Sequence, residues 1–330
     1  MTKIAIIGAG IAGLTLATRL QGPAEVVVFE KSRGVGGRMA SRRVDSFGFD
    51  HGAQFFTARS EAFREFLKPY QARGLVQQWQ PRLLSLAPDE QPRESAWSEQ
   101  HHVAVPGMTA LCKAMASGLD LRFETRVEAL HRQPDGRWRL AIGADRSTAF
   151  DWVICTAPAP QTHVLLPPEF AQQYALPDDT TMVPCIALLL GLESAPGWNF
   201  DAARIQHDVL AWLSCEASRP GRAARQAVTL HSTATWAAAH LDDPDDVIAA
   251  SMLAALNDMT GQSLPPIAVQ QVKRWRYAKA DALESPRLLL DPDLQLAAGG
   301  DWAHNGRVEG AFLSGHSLAD AMMAHIQKTA

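Results

Sequence analysis

Short apolar runs and longer amphipathic stretches alternate along the chain, and their order predicts its elements. Ile4-Ala5-Ile6-Ile7 is an unbroken apolar run of the kind a strand buried on both faces shows. Leu14 to Leu20 comes next as an apolar helical stretch, and Val26-Val27-Val28-Phe29 reads as a second strand. Ala62 to Tyr70 and Thr109 to Met115 are expected helices, the latter with Thr109 at its start and the turn Pro106-Gly107-Met108 before it. Leu75 to Glu99 has weak periodicity and is rich in Gln, Pro, Trp and Ser, which marks a first excursion into a second domain. Leu121 to Phe123, Thr125 to Val127 and Trp138 to Leu140 alternate as strands do, with Pro134-Asp135-Gly136 as a hairpin turn. Asp151 to Cys155 is another apolar strand, ending in the small turn Thr156-Ala157-Pro158. Beyond it, Cys185 to Leu192, Asp208 to Cys215 and Ala227 to Trp236 read as strands of an antiparallel sheet. Val247 to Met259 reads as a helix. The acids Asp242, Asp243, Asp245 and Asp246 before it suit its N-terminal dipole better than a metal site. Leu296 to Ala298 is a last strand, and a helix runs on to Ile326.

The first strand and helix are joined by Gly8-Ala9-Gly10-Ile11-Ala12-Gly13, the spacing G-x-G-x-x-G. Gly8 allows the tight turn, Gly10 lets a pyrophosphate approach the backbone, and Gly13 lets the helix pack close on the strands. The helix N-terminus then offers free N–H groups and a positive dipole end to phosphate, with Ala12 in its first turn. The second strand ends on Glu30, 22 positions after Gly8, near the spacing of about 20 expected for an acid that holds a ribose. Its carboxylate accepts from both ribose hydroxyls and disfavours a 2′-phosphate. Strand, glycines, helix, strand and acid in order point to a dinucleotide site.

Composition narrows the class. A chain of 330 residues, 47% hydrophobic and 20% charged, is long enough for about two globular domains. A net charge of −4 gives no reason to expect nucleic acid or an anionic membrane as partner. No apolar run approaches the roughly 18 residues of a membrane span. No cleavable leader pattern precedes the first strand, so the expected location is cytoplasmic. Cys112, Cys155, Cys185 and Cys215 are far apart and form no C-x-x-C, and no H-E-x-x-H occurs among the eleven histidines. Buried free thiols and no metal are the expectation.

The residues after Glu30 suggest which dinucleotide is bound. Lys31-Ser32-Arg33-Gly34-Val35-Gly36-Gly37-Arg38 resembles the E-x-x-x-x-x-G-G-R motif of the flavin amine oxidase superfamily. The resemblance implies FAD, with Arg38 near its pyrophosphate and Lys31 and Gly37 along its path. Asp50-His51-Gly52-Ala53-Gln54-Phe55 is similar to the D-x-G-A-Q-[YF] stretch of the renalase-type members, which implies that Gln54 and Phe55 lie beside the isoalloxazine. A Gln amide there reaches toward flavin N5 or the C4 carbonyl. Val127 corresponds to a residue whose backbone meets the adenine. Asp151 to Pro158 looks like the strand that closes over the FAD, and Lys273 to Ala278 resembles the R-W-x-x-A stretch re-entering beside it. Leu296 to Asp301, followed by Gly306-Arg307-Val308-Glu309-Gly310-Ala311, resembles the superfamily's last motif. By that likeness Asp301 meets the ribityl and phosphate part. Val308, Gly310 and Ala311 open a helix whose dipole stabilises negative charge on the reduced ring.

The fold implied is α/β: a Rossmann-like FAD-binding domain interleaved with an α+β substrate domain, of the amine oxidase and p-hydroxybenzoate hydroxylase type. Residues 1–70, 106–160 and 272–330 are assigned to the former, 71–105 and 161–271 to the latter. No second G-x-G-x-x-G exists for a separate NAD(P)H domain, and no Cys lies between Gly299 and Gly315, so the FAD is expected to be non-covalent. Arg59, Phe56 and Arg307 are candidate substrate contacts, and Trp79, Trp97, His231 and Trp236 candidate pocket residues. No catalytic acid–base pair stands out. The expected activity is a renalase-like oxidase that passes hydride from 2- or 6-dihydro-NAD(P) to flavin N5 and electrons to O2, giving H2O2 and NAD(P)+. The alternative in the same fold is an amine oxidase or desaturase, which predicts an aromatic cage and a lysine near N5.

Overall fold

Two sheets organise the chain in the computed structural model, which describes residues 1–143, 145–146, 148–177, 182–223, 226–280 and 285–329. The first has six strands in the order Leu289–Asp291, Leu296–Ala298, Trp152–Cys155, Lys3–Ile7, Glu25–Phe29, Asp120–Arg122. All neighbours are parallel except the edge pair Leu289–Asp291 with Leu296–Ala298. The central strands are apolar on both faces because layers cover both. On one side pack the helices Ile11–Leu20 and Val308–Thr329, with Ile4, Ile6, Leu14, Leu16, Phe312 and Leu318 in one core. On the other, Ala5, Val27, Trp138, Leu140, Phe150 and Val153 form a second core under a small sheet of Ala129–Arg132, Trp138–Ile142 and Asp145–Arg146. The turn at Pro134-Asp135-Gly136 joins the first two of these as expected. Thr125 to Val127 is not a strand. The Thr125 N–H instead donates to the Glu30 carbonyl at 2.9 Å.

The two long helices approach closely at Gly315, where a Cβ would lie 2.3 Å from the Ala12 carbonyl oxygen. A side chain there would push the last helix off the first, so the position requires glycine.

The second sheet has seven strands in the order Ile267–Ala280, Met182–Leu192, Ala227–Ser232, Leu210–Cys215, Ala202–Ile205, Leu83–Leu86, Arg93–Ser95. One face buries Ile186, Leu188, Leu190, Leu213 and Leu230 against the helices Ala234–His240 and Asp245–Thr260. The opposite face, with Ala187 and Leu189, meets Phe47 and Phe49 of the first unit. The strand expected over Ala227 to Trp236 stops at Ser232, because Thr233 caps a helix by accepting from the Trp236 N–H at 3.2 Å. The acid run behaves as an N-terminal cluster. Asp245 and Asp246 lie in the helix's first turn, and Asp242 and Asp245 pair with Arg276 and Arg274. Among the described residues no group of three metal-ligating side chains occurs.

The boundaries differ from the expected ones in two places. Residues 272–280, assigned to the first domain, complete a 14-residue strand of the seven-stranded sheet. Within 71–105, Val76–Gln78 pairs with His102–Ala104, and Val76, Val103 and Ala104 join the first core; only Leu83–Leu86 and Arg93–Ser95 reach the second sheet. Among the described residues no helix is long and apolar enough to cross a membrane. The four cysteines are free, and burial pushes the Cys112 thiol up to about 12 and the Cys185 thiol up to about 11.

Candidate active site

The glycine turn is built as its spacing requires. Gly8 has φ +107°, and a Cβ on Gly13 would stand 2.1 Å from the Gly8 carbonyl oxygen. Thr156, from the strand alongside, locks the turn by donating its hydroxyl to the Ile7 and Gly8 carbonyls at 3.0 and 3.1 Å. Gly10 is the N-cap of the helix Ile11–Leu20, with no side chain capping it and no acid in the first turn. A Cβ there would meet nothing within 4 Å. Uncapped N–H groups under open space form the arrangement that binds a phosphate.

Glu30 is buried at the rim of this turn. Its carboxylate accepts from the Ala9 N–H at 2.9 Å and the Ser32 N–H at 2.8 Å, one per oxygen, which leaves a lone pair on each for a ribose hydroxyl. Val127 is buried beside it on the segment that Thr125 ties to Glu30. Gly37 carries φ +50° and faces the turn, where its Cβ would lie 3.6 Å from the Gly10 Cα. Lys31 is turned outward and donates to the Gln161 side chain at 3.1 Å, so its charge lies on the surface.

Arg38 and Asp301, 263 positions apart, meet as a fork. Arg38 donates through one guanidinium nitrogen to Asp301 Oδ2 at 2.8 Å and through the other to Oδ1. The Asp301 side chain is 6% exposed and that of Arg38 28%, so the cation faces the groove and the acid holds it from behind. The Ser314 hydroxyl accepts from the Gly300 N–H at 2.9 Å and Trp302 donates to the Ala157 carbonyl at 2.9 Å, which fixes this turn on the sheet and the last helix. Val308, Gly310 and Ala311 do open that helix. Glu309 between them is buried and turned away, accepting from the Arg59 and Ser60 N–H groups at 3.0 and 2.6 Å. Asn305 Oδ1 and His304 Nδ1, just before the helix, are buried without a partner. Such atoms are costly unless something hydrogen-bonds them. Open space at Gly10, a free cationic face at Arg38 and these two orphans fit an extended dinucleotide along the turn, Arg38 and the last helix.

The His51–Phe56 stretch joins this groove to the seven-stranded sheet. Gln54 does not offer its amide to a ring as expected. Its oxygen accepts from Trp212 Nε1 at 3.2 Å, the Ser214 hydroxyl at 2.8 Å and Arg219 at 2.7 Å. Its nitrogen donates to the Asp50 and Gly52 carbonyls and stands 3.4 Å from His231 Nε2. Gln54 is the keystone between the sheet and this segment. Arg219 also pairs with Glu216 at 2.6 Å, and Arg222 pairs with Asp50, all four of these charged side chains being buried. Burial, and next the Asp50 charge, push the Glu216 carboxyl up against the pull of Arg219. Glu216 and Arg219 are three positions apart, but nothing local in the sequence marks them or Arg222 as buried, because Asp50, Gln54 and Thr229, which complete the network, come from distant segments.

Phe55 points into an aromatic cluster, with ring centroids 4.9 Å from Trp97, 4.5 Å from His101 and 5.7 Å from Trp212. Phe56, one residue on, points the other way into the first core against Phe63, so it is no substrate contact. Arg59 is exposed, and its guanidinium is taken by Glu99. Arg307 is exposed at the mouth of the last helix. Trp236 lies on the helix Ala234–His240, stacked on His240, and packs on the core between that helix and the seven-stranded sheet. His51 stacks on Trp275 at 5.0 Å, and Trp275 donates to the His51 carbonyl at 2.8 Å. Lys273 sits two residues before Trp275 on the same face of its strand. Burial, then the Arg42 charge, lower its pKa.

His51 and His231 are both held at about 4, mainly by burial. Lys273 adds to this for His51, while the hydrogen bond to the His51 carbonyl opposes it for His231. The unfolded chain takes these protons near 6.5 and the folded protein only near 4, so stability falls as pH drops through that window. Melting temperature measured from pH 7 to 4 is expected to fall less steeply in His231→Gln than in the parent. Equal slopes would show that His231 is not held neutral.

Residues 6–70 match the model of the NAD(P)-binding Rossmann-like domain, and residues 84–323 that of the flavin containing amine oxidoreductase. Cyclohexylamine oxidase from Brevibacterium oxydans IH-35A superposes with a TM-score of 0.75 at 13% identity, covering 99% of each chain. Wild-type putrescine oxidase bound to putrescine gives 0.70 at 14%, covering 98% of this chain and 99% of that one. At such identities the likeness is one of fold. The 4,4'-diapophytoene desaturase of Staphylococcus aureus (strain Newman) is 38% identical over 82 residues, 22% of this chain. The chain spans only 16% of that relative's length.

Proposed function

Because the flavin containing amine oxidoreductase model covers residues 84–323, the chain belongs to that family, and from this premise we propose a renalase-like oxidase acting on mis-reduced nicotinamide dinucleotides. The chain is a flavin-dependent oxidoreductase and its cofactor is FAD. When bound, FAD supplies a two-electron acceptor. In the proposed reaction a 2- or 6-dihydro-NAD(P), O2 and one proton give NAD(P)+ and H2O2. Glu30 would hold the adenine ribose, the turn at Gly10 the pyrophosphate, and Arg38, backed by Asp301, a negatively charged part of the cofactor. The FAD would be non-covalent, the six-stranded unit would hold it, and the seven-stranded sheet would cover its ring.

The observation that carries the substrate reading is Phe55 at the centre of an aromatic cluster beside the groove. Flat rings favour flat rings there. The reaction also asks no base of the protein, because a dihydropyridine releases hydride unaided. An amine oxidase or desaturase, which predicts an aromatic cage and a lysine, is favoured by the same cluster together with Lys273, which has a lowered pKa and shares a strand face with Trp275. Anaerobic mixing decides between them. The dihydronicotinamide isomers are expected to bleach the flavin within one turnover, and simple amines to leave it yellow; the reverse result overturns the proposal.

A further inference from the structure

The aromatic cluster around Phe55 carries charge that bears on what can enter it. Within it Trp79, Trp212 and His101 are buried, while Phe55 and Trp97 are partly exposed. Trp97 lies on the loop between the strands Arg93–Ser95 and His102–Ala104 and stacks on His101 at 3.9 Å. Its Nε1 is shielded from water and has no partner. The Arg204 guanidinium stands 5.1 Å over the Trp97 ring, and that of Arg219 stands 4.7 Å over Trp79. Arg219 is consumed by Glu216 and Gln54. Arg204 is exposed and, besides the Trp97 ring, donates to a hydroxyl, Ser95 Oγ at 3.5 Å, with no carboxylate in ion-pair reach among the described residues. Glu99, on the same loop as Trp97, is engaged by Arg59.

An ammonium group binds an aromatic cage through the ring faces. Here two of those faces already carry guanidinium groups, so an incoming cation meets like charge. An anion finds the opposite: a planar fork with unused donors, suited to two oxygens of a phosphate or carboxylate. We propose that Arg204 is a specificity-determining residue that selects an anionic, ring-bearing substrate, the ring lying against Phe55 and the anionic group on the Arg204 fork. The inference deepens the proposed function, on which it rests for taking Phe55 as the substrate's place. It does not require the ring to be a nicotinamide.

Three probes of one ring and different charge test it: benzyl phosphate, benzyl alcohol and benzylamine. Each is titrated into the oxidised, FAD-loaded protein while tryptophan fluorescence and flavin absorbance are followed. Benzyl phosphate is expected to bind about tenfold tighter than the other two, with the margin shrinking as salt is raised. Arg204→Ala should erase the margin, and Arg204→Lys keep part of it, with the flavin spectrum and melting temperature of both unchanged. Equal affinities, no binding by any probe, or a margin that survives in Arg204→Ala would overturn the assignment. Turnover of dihydronicotinamides, measured on the same preparations, separates the two claims. Turnover without the charge preference removes only the role of Arg204, and the preference without turnover sustains that role while sinking the nicotinamide reading.

Discussion

Arg219→Met is expected to lower the stability of the protein by about 3–5 kcal/mol, the cost of removing one partner from a buried ion pair. Arg219 is 2% exposed and lies between Glu216 at 2.6 Å, the Gln54 oxygen at 2.7 Å and the Ser214 hydroxyl at 3.0 Å. Methionine restores the contact with the Trp79 ring but none of these bonds. It leaves a carboxylate in the interior without its cation. That carboxylate also sets the sign of the pH dependence. Burial already raises the Glu216 carboxyl, and losing Arg219 raises it further, so the variant's deficit grows as pH rises and the buried acid is forced to ionise. Urea denaturation of the FAD-loaded protein at pH 5 and pH 8 measures both. Glu216→Gln combined with Arg219→Met should recover part of the loss, since neither charge then remains unpaired. A single variant within about 1 kcal/mol of the parent would mean that the network is wet and contributes little.

The legible parts of this chain are those whose reasons are local. The first strand, turn, helix and Glu30 lie within thirty residues, and Gly8 and Gly13 answer to contacts inside that stretch or with Thr156, while Gly10 answers to the open space above it. The helix Asp245–Thr260 announces itself by its acids and its period. Gln54 is legible as special but not as to why. Its three oxygen donors come from residues 212 to 219, which reach it only after the second sheet has formed. Phe55 and Phe56 differ only in parity, and parity becomes visible where Phe56 pairs with His102 across an isolated bridge. Likewise Arg59 carries charge toward the groove in sequence, yet its guanidinium is spent on Glu99 from a loop with no periodicity. Thr125 to Val127 alternates like a strand but finds no neighbour in register, because Glu30 takes the hydrogen bond that a ladder would need. Local propensity yields to whichever partner the tertiary fold supplies.

Gly10→Leu should remove FAD while leaving the apoprotein intact. Gly10 sits at φ −76° and ψ 176°, extended backbone that any residue adopts, and a Cβ there meets nothing within 4 Å. The apo forms of variant and parent are therefore expected to differ by no more than about 0.5 kcal/mol. The space the leucine fills lies over the uncapped N–H groups of the helix Ile11–Leu20, which is where a pyrophosphate must come close. Affinity for FAD is expected to fall by about a thousandfold, roughly 4 kcal/mol, read by titrating apoprotein and following flavin fluorescence. Gly13→Ala provides the contrast. Its Cβ would stand 2.1 Å from the Gly8 carbonyl oxygen and 2.7 Å from Thr156 Oγ1, so the turn itself must open. That variant should lose apo stability and cofactor together. Comparing apo with apo matters, because bound FAD stabilises the parent by mass action and would make a pure binding defect look like a folding defect. A Gly10→Leu protein that purifies yellow with full cofactor would place the dinucleotide elsewhere, and with it every role given to Glu30, Arg38 and the last helix.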